Sequence, residues 1–211
     1  MAEAGHTVVL ASGNAGKLRE LTAMLEPLGW QVRPQSEWSV PEAVEDGLSF
    51  IENALIKARH AAEATGLPAI ADDSGICVDT LDGRPGVYSA RYSGPGATAE
   101  SNNERLLAEL EGIPEEQRGA AFHCVACYVD PGMDEPVIAQ GEWRGRILHE
   151  RRGDGLQHEH HDRRLQYALP RSYRSAAGGD PDLGRDVMAS LKTIVGGEIR
   201  MHWNQRLPDT H

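Results

Sequence analysis

The sequence predicts an α/β protein in which a mixed β-sheet is flanked by helices. Three observations carry this reading. A compact β-branched run, Thr7–Ala11 (TVVLA), is followed at once by a Gly-rich turn and by apolar residues at helical spacing. A second helical pattern, from about Ser49 to Thr65, leads into another apolar run that ends in two adjacent carboxylates, Asp72 and Asp73. Alternation of period two then returns in Ala120–Val129, Val137–Trp143 and Gly145–His149, with turn residues at Asp130–Gly132 and around Arg144, which is the pattern of an antiparallel meander.

Taken in order, Leu18, Leu21, Met24, Leu25 and Leu28 form the stripe of the first helix. Gly29 stands where a C-terminal cap belongs, and Gln31–Arg33 reads as a second strand. A connector containing Trp and Pro leads to an acidic loop, Glu42–Gly47. Ser49 and Glu52 have the spacing of a capping box for the next helix. Phe50, Ile51, Ala54, Leu55, Ala58, Ala61 and Ala62 give that helix its apolar face, and Gly66 with Pro68 ends it. In Ala69–Asp79 (AIADDSGICVD) the carboxylates are expected at a strand end, with Ser74-Gly75 turning the backbone beside them. Gly83–Gly94 is a turn-rich loop carrying Tyr88, Arg91 and Tyr92, suited to lining a site or a subunit contact. A helix from about Thr98 to Leu110 follows, with Leu106, Leu107 and Leu110 inward. From Leu156 onward no period is sustained until Leu183–Val195, where a helical stripe returns. The chain therefore reads as one domain over residues 7–155 and an atypical tail over 156–211, poorly ordered up to about Leu183.

Composition narrows the class of function. The 211 residues carry a formal net charge of −11, which opposes a broad nucleic-acid-binding surface, because affinity for phosphate backbones comes from clustered Lys and Arg. A small phosphorylated ligand remains open, given backbone amides at a helix start or a divalent cation to offset the acidic field. No apolar run approaches a membrane span and residues 1–6 lack a signal pattern, so the cytosol is expected. Cys77, Cys124 and Cys127 are then expected as free thiols. Cys124 and Cys127 have redox-motif spacing, but they lie in an alternating run, where residues three apart face opposite sides of a strand.

Three stretches have chemistry to offer. Ser12-Gly13-Asn14-Ala15-Gly16-Lys17 joins a strand to a helix, so it suits a phosphate through the helix start and the Lys17 charge. It is not a Walker loop: Leu18 stands where Ser or Thr is needed and Ala11 where the first Gly is needed. It reads equally as a structural turn. Glu45, just ahead of a helix, is either a solvated acid or a metal ligand reaching towards Asp73. Asp72 and Asp73 either cap a turn or coordinate and catalyse. His158, His160 and His161, beside Glu159 and Asp162, read as a solvated polar tract before they read as a metal site.

Together Val8–Leu21, Glu45–Ala62, Leu67–Gly94 and Ala120–Tyr128 closely resemble the inosine/xanthosine triphosphate pyrophosphatase family. The resemblance implies two lobes around the long mixed sheet, an active cleft between them and a homodimer. It also implies hydrolysis of non-standard purine nucleoside triphosphates (ITP, dITP, XTP) to the monophosphate and pyrophosphate, with Mg2+. Carried over by residue, the loop Ser12, Gly13, Asn14, Ala15, Gly16 and Lys17 holds the triphosphate, Glu45 and Asp73 hold the metal, Asp73 is also the catalytic acceptor, and Ser74 contacts substrate. Lys57 and Asp72 would support them; Arg91 is as well read as a surface or dimer contact. After Gly153-Asp154-Gly155 the family continues with a Gly-Phe-Gly-Tyr-Asp-Pro type segment and later a Lys and a Ser-His-Arg triplet that read the base, whereas this chain continues Leu156-Gln157-His158. The expectation is a reading frame lost or an end replaced near Gly155, so that an inactive or unselective remnant without a purine pocket is the alternative to a working pyrophosphatase. A phosphotransferase using the Gly-rich loop is a third reading, weakened by the missing Walker hydroxyl.

Overall fold

The computed structural model describes residues 6–149 and, as backbone, strand residues 158–168. The helix expected near 183–195 lies outside the described residues. Strand β1 (His6–Leu10) pairs in parallel with β2 (Trp30–Pro34), from His6 opposite Trp30 to Leu10 opposite Pro34. On its other side it pairs in parallel with β3 (Ala69–Val78), Leu10 opposite Ile70. Parallel neighbours require crossover connections. Helix α1 (Ala15–Leu25) lies in the first connection and α2 (Phe50–Thr65) in the second. Strands β4 (Gly119–Val129) and β5 (Val137–Ile147) are sheet neighbours joined only by residues 130–136, too short for a crossover, so they run antiparallel. With β6 (His158–Ala168) the sheet order is β2-β1-β3-β4-β5-β6 and the sheet is mixed.

Local sequence explains where the helices begin and end. The Ser49 hydroxyl accepts from the Glu52 amide while Glu52 accepts from the Ser49 and Leu48 amides, a complete capping box, and Gly66 closes α2 in the left-handed region at φ 69°. α1 ends in a 3-10 turn, Glu26–Leu28, and Gly29 takes φ 78° as its cap. Helix α3 (Ala99–Glu109) starts from Thr98, whose hydroxyl accepts from the Ser101 amide.

Two expected turns are strands instead. β3 runs without reversal through Asp72-Asp73-Ser74-Gly75, so the carboxylates stand in mid-strand. β5 runs through Arg144 and Gly145 as one strand, where two strands and a turn were expected. In both places a weak turn signal gives way to sheet pairing, which supplies hydrogen bonds that a turn would forfeit. Arg144 also finds partners without a turn, reaching Glu142 on its own strand and both oxygens of Asp79. The segment after Leu156, without apolar alternation, carries β6 at one end of the sheet order.

The described chain forms two compact units, and β3, β4 and β5 each contribute to both. The first contains residues 6–73 and 125–140. Its core packs the alanine face of α2 (Ala54, Ala58, Ala61, Ala62) with Val9, Ala11, Ala69, Ala71, Val125 and Cys127. The second contains residues 74–124 and 141–149, with a core of Val78, Leu81, Tyr92, Leu106, Leu110, Ala120 and Ile147. Arg118 is buried there and donates to three carbonyls, those of Leu110, Ile147 and Leu148, at 2.6, 2.9 and 3.0 Å. Among the described residues no helix is long and apolar enough to cross a membrane.

Candidate active site

The geometry of the site begins with the register of β1 and β3. Leu10 lies opposite Ile70 and the Ala11 amide donates to the Ile70 carbonyl at 2.9 Å, so the chain leaves β1 for the Ser12–Lys17 loop at the level of Asp72 and Asp73. The ends of parallel strands, where chains turn into helices, are the usual place for a ligand in such sheets. Here Asn14 is the N-cap of α1, and its side-chain oxygen accepts from the Gly16 and Lys17 amides at 2.8 and 3.3 Å. The Asn14 amide in turn donates to Ser12 Oγ at 3.2 Å. Two of the amides that a helix start offers to a phosphate are therefore held by Asn14. The loop also carries the full charge of Lys17, and its ammonium donates to Asp72 Oδ2. Gly13 brings its backbone close to the acidic loop: a Cβ there would stand 3.1 Å from Glu42 Oε1.

Strand alternation then separates the two carboxylates. Residues i and i+2 share a face, so Asp73 lies on the face of Ala69 and Ala71, which packs on α2, and Asp72 lies on the other. Asp72 is 6% exposed and meets Lys17; Asp73 meets α2. Lys57, on that helix, places its ammonium 3.6 Å from Asp73 Oδ1 and 3.5 Å from Glu45 Oε1. One turn earlier, Asn53 donates from Nδ2 to Asp73 Oδ2 at 3.2 Å. Its Oδ1 accepts from the Gly47 amide at 2.9 Å, tying the Glu45 loop to the start of α2. Positions 53 and 57 are four apart and so lie on one side of the helix.

Of the residues singled out from sequence, Glu45 and Asp73 thus come together around Lys57, and Lys17 joins Asp72. Ser74 follows Asp73 on β3 and begins the second unit. Arg91, also in the second unit, stacks over the Tyr88 ring at 5.2 Å. Cys124 and Cys127 are fully buried, and burial, with a further push from Asp72 against the pull of Arg59 and Lys57, raises the Cys127 thiol to about 12. A thiol held protonated in this way is a poor nucleophile, which argues against redox exchange. The side chains of the histidine tract lie outside the described residues. Asn53 was not singled out. Its signal is an amide beside the apolar face of an amphipathic helix, fully buried in the structure.

The donor chemistry fits a hard divalent cation. Glu45 and Asp73 converge on a single ammonium and offer carboxylate oxygens, and Mg2+ is commonly held by one or two carboxylates with substrate phosphates and water completing its shell. Among the described residues no cluster of three or more His, Cys, Asp or Glu forms an all-protein cage.

Comparison with known proteins bears on the same residues. Residues 8–164 match the model of the Ham1 family. The dITP/XTP pyrophosphatase of Thioalkalivibrio sulfidiphilus is 59% identical over 149 residues, covering 70% of this chain and 76% of the relative. That of Escherichia coli O157:H7 is 54% identical over 149 residues, with coverage of 70% and 76%. The solved structure of a HAM1 protein from Coxiella burnetii aligns with a TM-score of 0.70 at 37% identity, covering 95% of this chain and 99% of that one. The nucleoside-triphosphatase or dITP/XTP pyrophosphatase structure from Mycobacterium abscessus aligns at 44% identity with a TM-score of 0.61, covering 68% and 75%. The family match takes in the Ser12–Lys17 loop, the Glu45 loop, α2 and the whole of β3, and the chain belongs to the Ham1 family.

Proposed function

We propose that this chain is a nucleoside triphosphate pyrophosphatase that cleaves non-standard purine nucleoside triphosphates (ITP, dITP, XTP) to the monophosphate and pyrophosphate, with Mg2+. The observation that carries the reading is the convergence of Glu45 and Asp73 on the Lys57 ammonium, with Lys17 held by the neighbouring Asp72. The names of the relatives, dITP/XTP pyrophosphatase, support the substrate class.

Glu45 and Asp73 are the residues that would hold Mg2+, and the ion would screen the triphosphate charge and polarise the attacked phosphorus. A triphosphate brings several negative charges beside these acids, so the cationic side chains have to answer it. Lys17 leaves Asp72 to meet phosphate oxygens, exchanging one anionic partner for another. Ser12 and Asn14 keep the loop folded around that lysine. Asp73 accepts the proton of the attacking water, and Lys57 and Asn53 hold its carboxylate in place. Such general-base help is typically worth about 10²–10⁴-fold in rate, with electrostatic stabilisation of the moving phosphoryl group contributing further.

The alternative of an inactive remnant has less support, because the chain belongs to the Ham1 family and its relatives at 54–59% identity are named dITP/XTP pyrophosphatase. The discriminating assay is pyrophosphate release from ITP and XTP against ATP, with and without Mg2+, for the parent and Asp73→Asn. The parent should release pyrophosphate and the variant should be slower by about 10²-fold or more. Equal rates would sink the reading, and hydrolysis without purine preference would mark a working metal centre lacking base selection. Transfer of phosphate to an acceptor, with no pyrophosphate, would favour a phosphotransferase. We also propose a homodimer, for which sedimentation should give twice the chain mass of 23.0 kDa.

A further inference from the structure

We infer that Asn53 is a positioning residue that sets the Glu45 loop and the Asp73 carboxylate in one fixed relation. The inference rests on the pyrophosphatase reading for its catalytic consequence. Asn53 is 0% exposed, so both ends of its amide must find partners inside the protein. They find functional ones. Oδ1 accepts from the amide of Gly47, two residues beyond Glu45, and Nδ2 donates to Asp73 Oδ2. The assignment of the two branches is fixed by chemistry: a backbone amide can only donate, so the atom facing Gly47 is oxygen and the one facing Asp73 is nitrogen. Only a primary amide offers an acceptor and a donor from one planar group at this length. Asp would turn an acceptor towards Asp73, and Leu would satisfy neither side.

The contact also fixes rotation. With Oδ2 held by Asn53, Asp73 turns Oδ1 towards Lys57, whose ammonium also meets Glu45. The loop side is equally constrained, since a Cβ on Gly47 would lie 2.7 Å from Asn53 Oδ1 and 2.8 Å from Glu52 Cβ. The Asn53 amide thus links the loop of one proposed metal-binding carboxylate to the other, beside the Lys57 ammonium that meets both.

The test compares Asn53→Ala, Asn53→Gln and a control, Ser49→Ala, which removes the cap of the same helix but touches neither carboxylate. Mn2+ binding, followed by the paramagnetic resonance of free Mn2+, is measured beside kcat and KM for ITP and beside the melting temperature. Loss of a group that orients metal ligands typically costs about 10–100-fold in metal affinity or activity. Asn53→Ala should lose affinity and kcat in that range with little change in KM, Asn53→Gln should recover part of the loss, and Ser49→Ala should lower only the melting temperature. Asn53→Ala matching Ser49→Ala in Mn2+ affinity and kcat would overturn the inference. If Asn53→Ala fails to fold, Asn53→Gln against Ser49→Ala decides by the same criterion. A parent that binds Mn2+ in an Asn53-dependent way yet releases no pyrophosphate would defeat the functional reading alone. A parent that hydrolyses ITP with Asn53→Ala unchanged would defeat this inference alone.

Discussion

Replacing Lys17 by Met tests whether the Lys17–Asp72 contact supports the fold as well as the site. Asp72 is 6% exposed and Lys17 20%, so the contact is shielded from water on the carboxylate side and partly open on the other. Breaking a fully buried ion pair by removing one partner costs about 3–5 kcal/mol, because the surviving charge stays desolvated. The open side of Lys17 admits water to the vacated position, which brings the expectation down to about 2–3 kcal/mol. For a chain of this length that corresponds to a fall of about 4–12 °C in melting temperature. Asp72→Asn keeps an oxygen acceptor for the ammonium and should cost less, about 1 kcal/mol. In the double variant neither buried charge is stranded, so the two losses should fall short of adding by about 1 kcal/mol or more. Urea and thermal unfolding of the four proteins of the cycle measure this directly. Strict additivity would refute the claim that the two groups are energetically coupled.

The other expectations follow from single contacts. Gly47→Ala drives a Cβ to 2.7 Å from Asn53 Oδ1 and 3.0 Å from the Asn53 amide nitrogen, so it should destabilise by about 1–3 kcal/mol and depress pyrophosphate release; a variant melting with the parent would contradict the close approach. Native protein at pH 8 treated with a thiol reagent should leave Cys124 and Cys127 unmodified until denaturant is added, since both are fully buried and Cys127 is raised to about 12; rapid modification mapped to Cys127 would oppose this. Burial lowers His123 from its ordinary 6.5, more than the nearby Glu142 raises it, so the unfolded chain binds the proton more readily. Stability attached to this histidine is therefore complete above about 6.5 and is lost as pH falls towards the lower folded value, and His123→Gln should flatten that part of a stability–pH curve.

How much could be read from the sequence depends on where the determining interactions lie along the chain. The bounds of α2 were legible because Ser49, Glu52 and Gly66 act on backbone groups within a turn of themselves. The courses of β3 and β5 were not, because Ser74-Gly75 and Arg144-Gly145 are local turn signals overruled by partners far away in sequence. Asp79, which meets Arg144, is 65 residues distant. β6 was illegible for a different reason: its sequence, HEHHDRRLQYA, has no apolar alternation to reveal a strand. Within the site, the reach of Glu45 towards Asp73 was already legible in the sequence, but the place of Lys57 between them was not. Glu45, Lys57 and Asp73 could be named from their motifs, while the bridging amide of Asn53 is visible only once α2 is laid along β3.

The adjacency of Asp72 and Asp73 invites the idea of an acid pair sharing one proton, as closely spaced carboxylates do when like charges cannot both ionise. The strand removes that option. Neighbouring residues on an extended backbone point to opposite faces, and the two acids meet different lysines, Asp72 meeting Lys17 and Asp73 sharing Lys57 with Glu45. The two acids therefore serve different partners: Asp72 meets Lys17, and Asp73 meets Lys57 and Asn53. The two substitutions should then fail differently. Asp72→Asn should act mainly through the placement of Lys17 and so on KM for the triphosphate, whereas Asp73→Asn should act on kcat. A shared-proton pair would instead lose kcat to the same extent from either change.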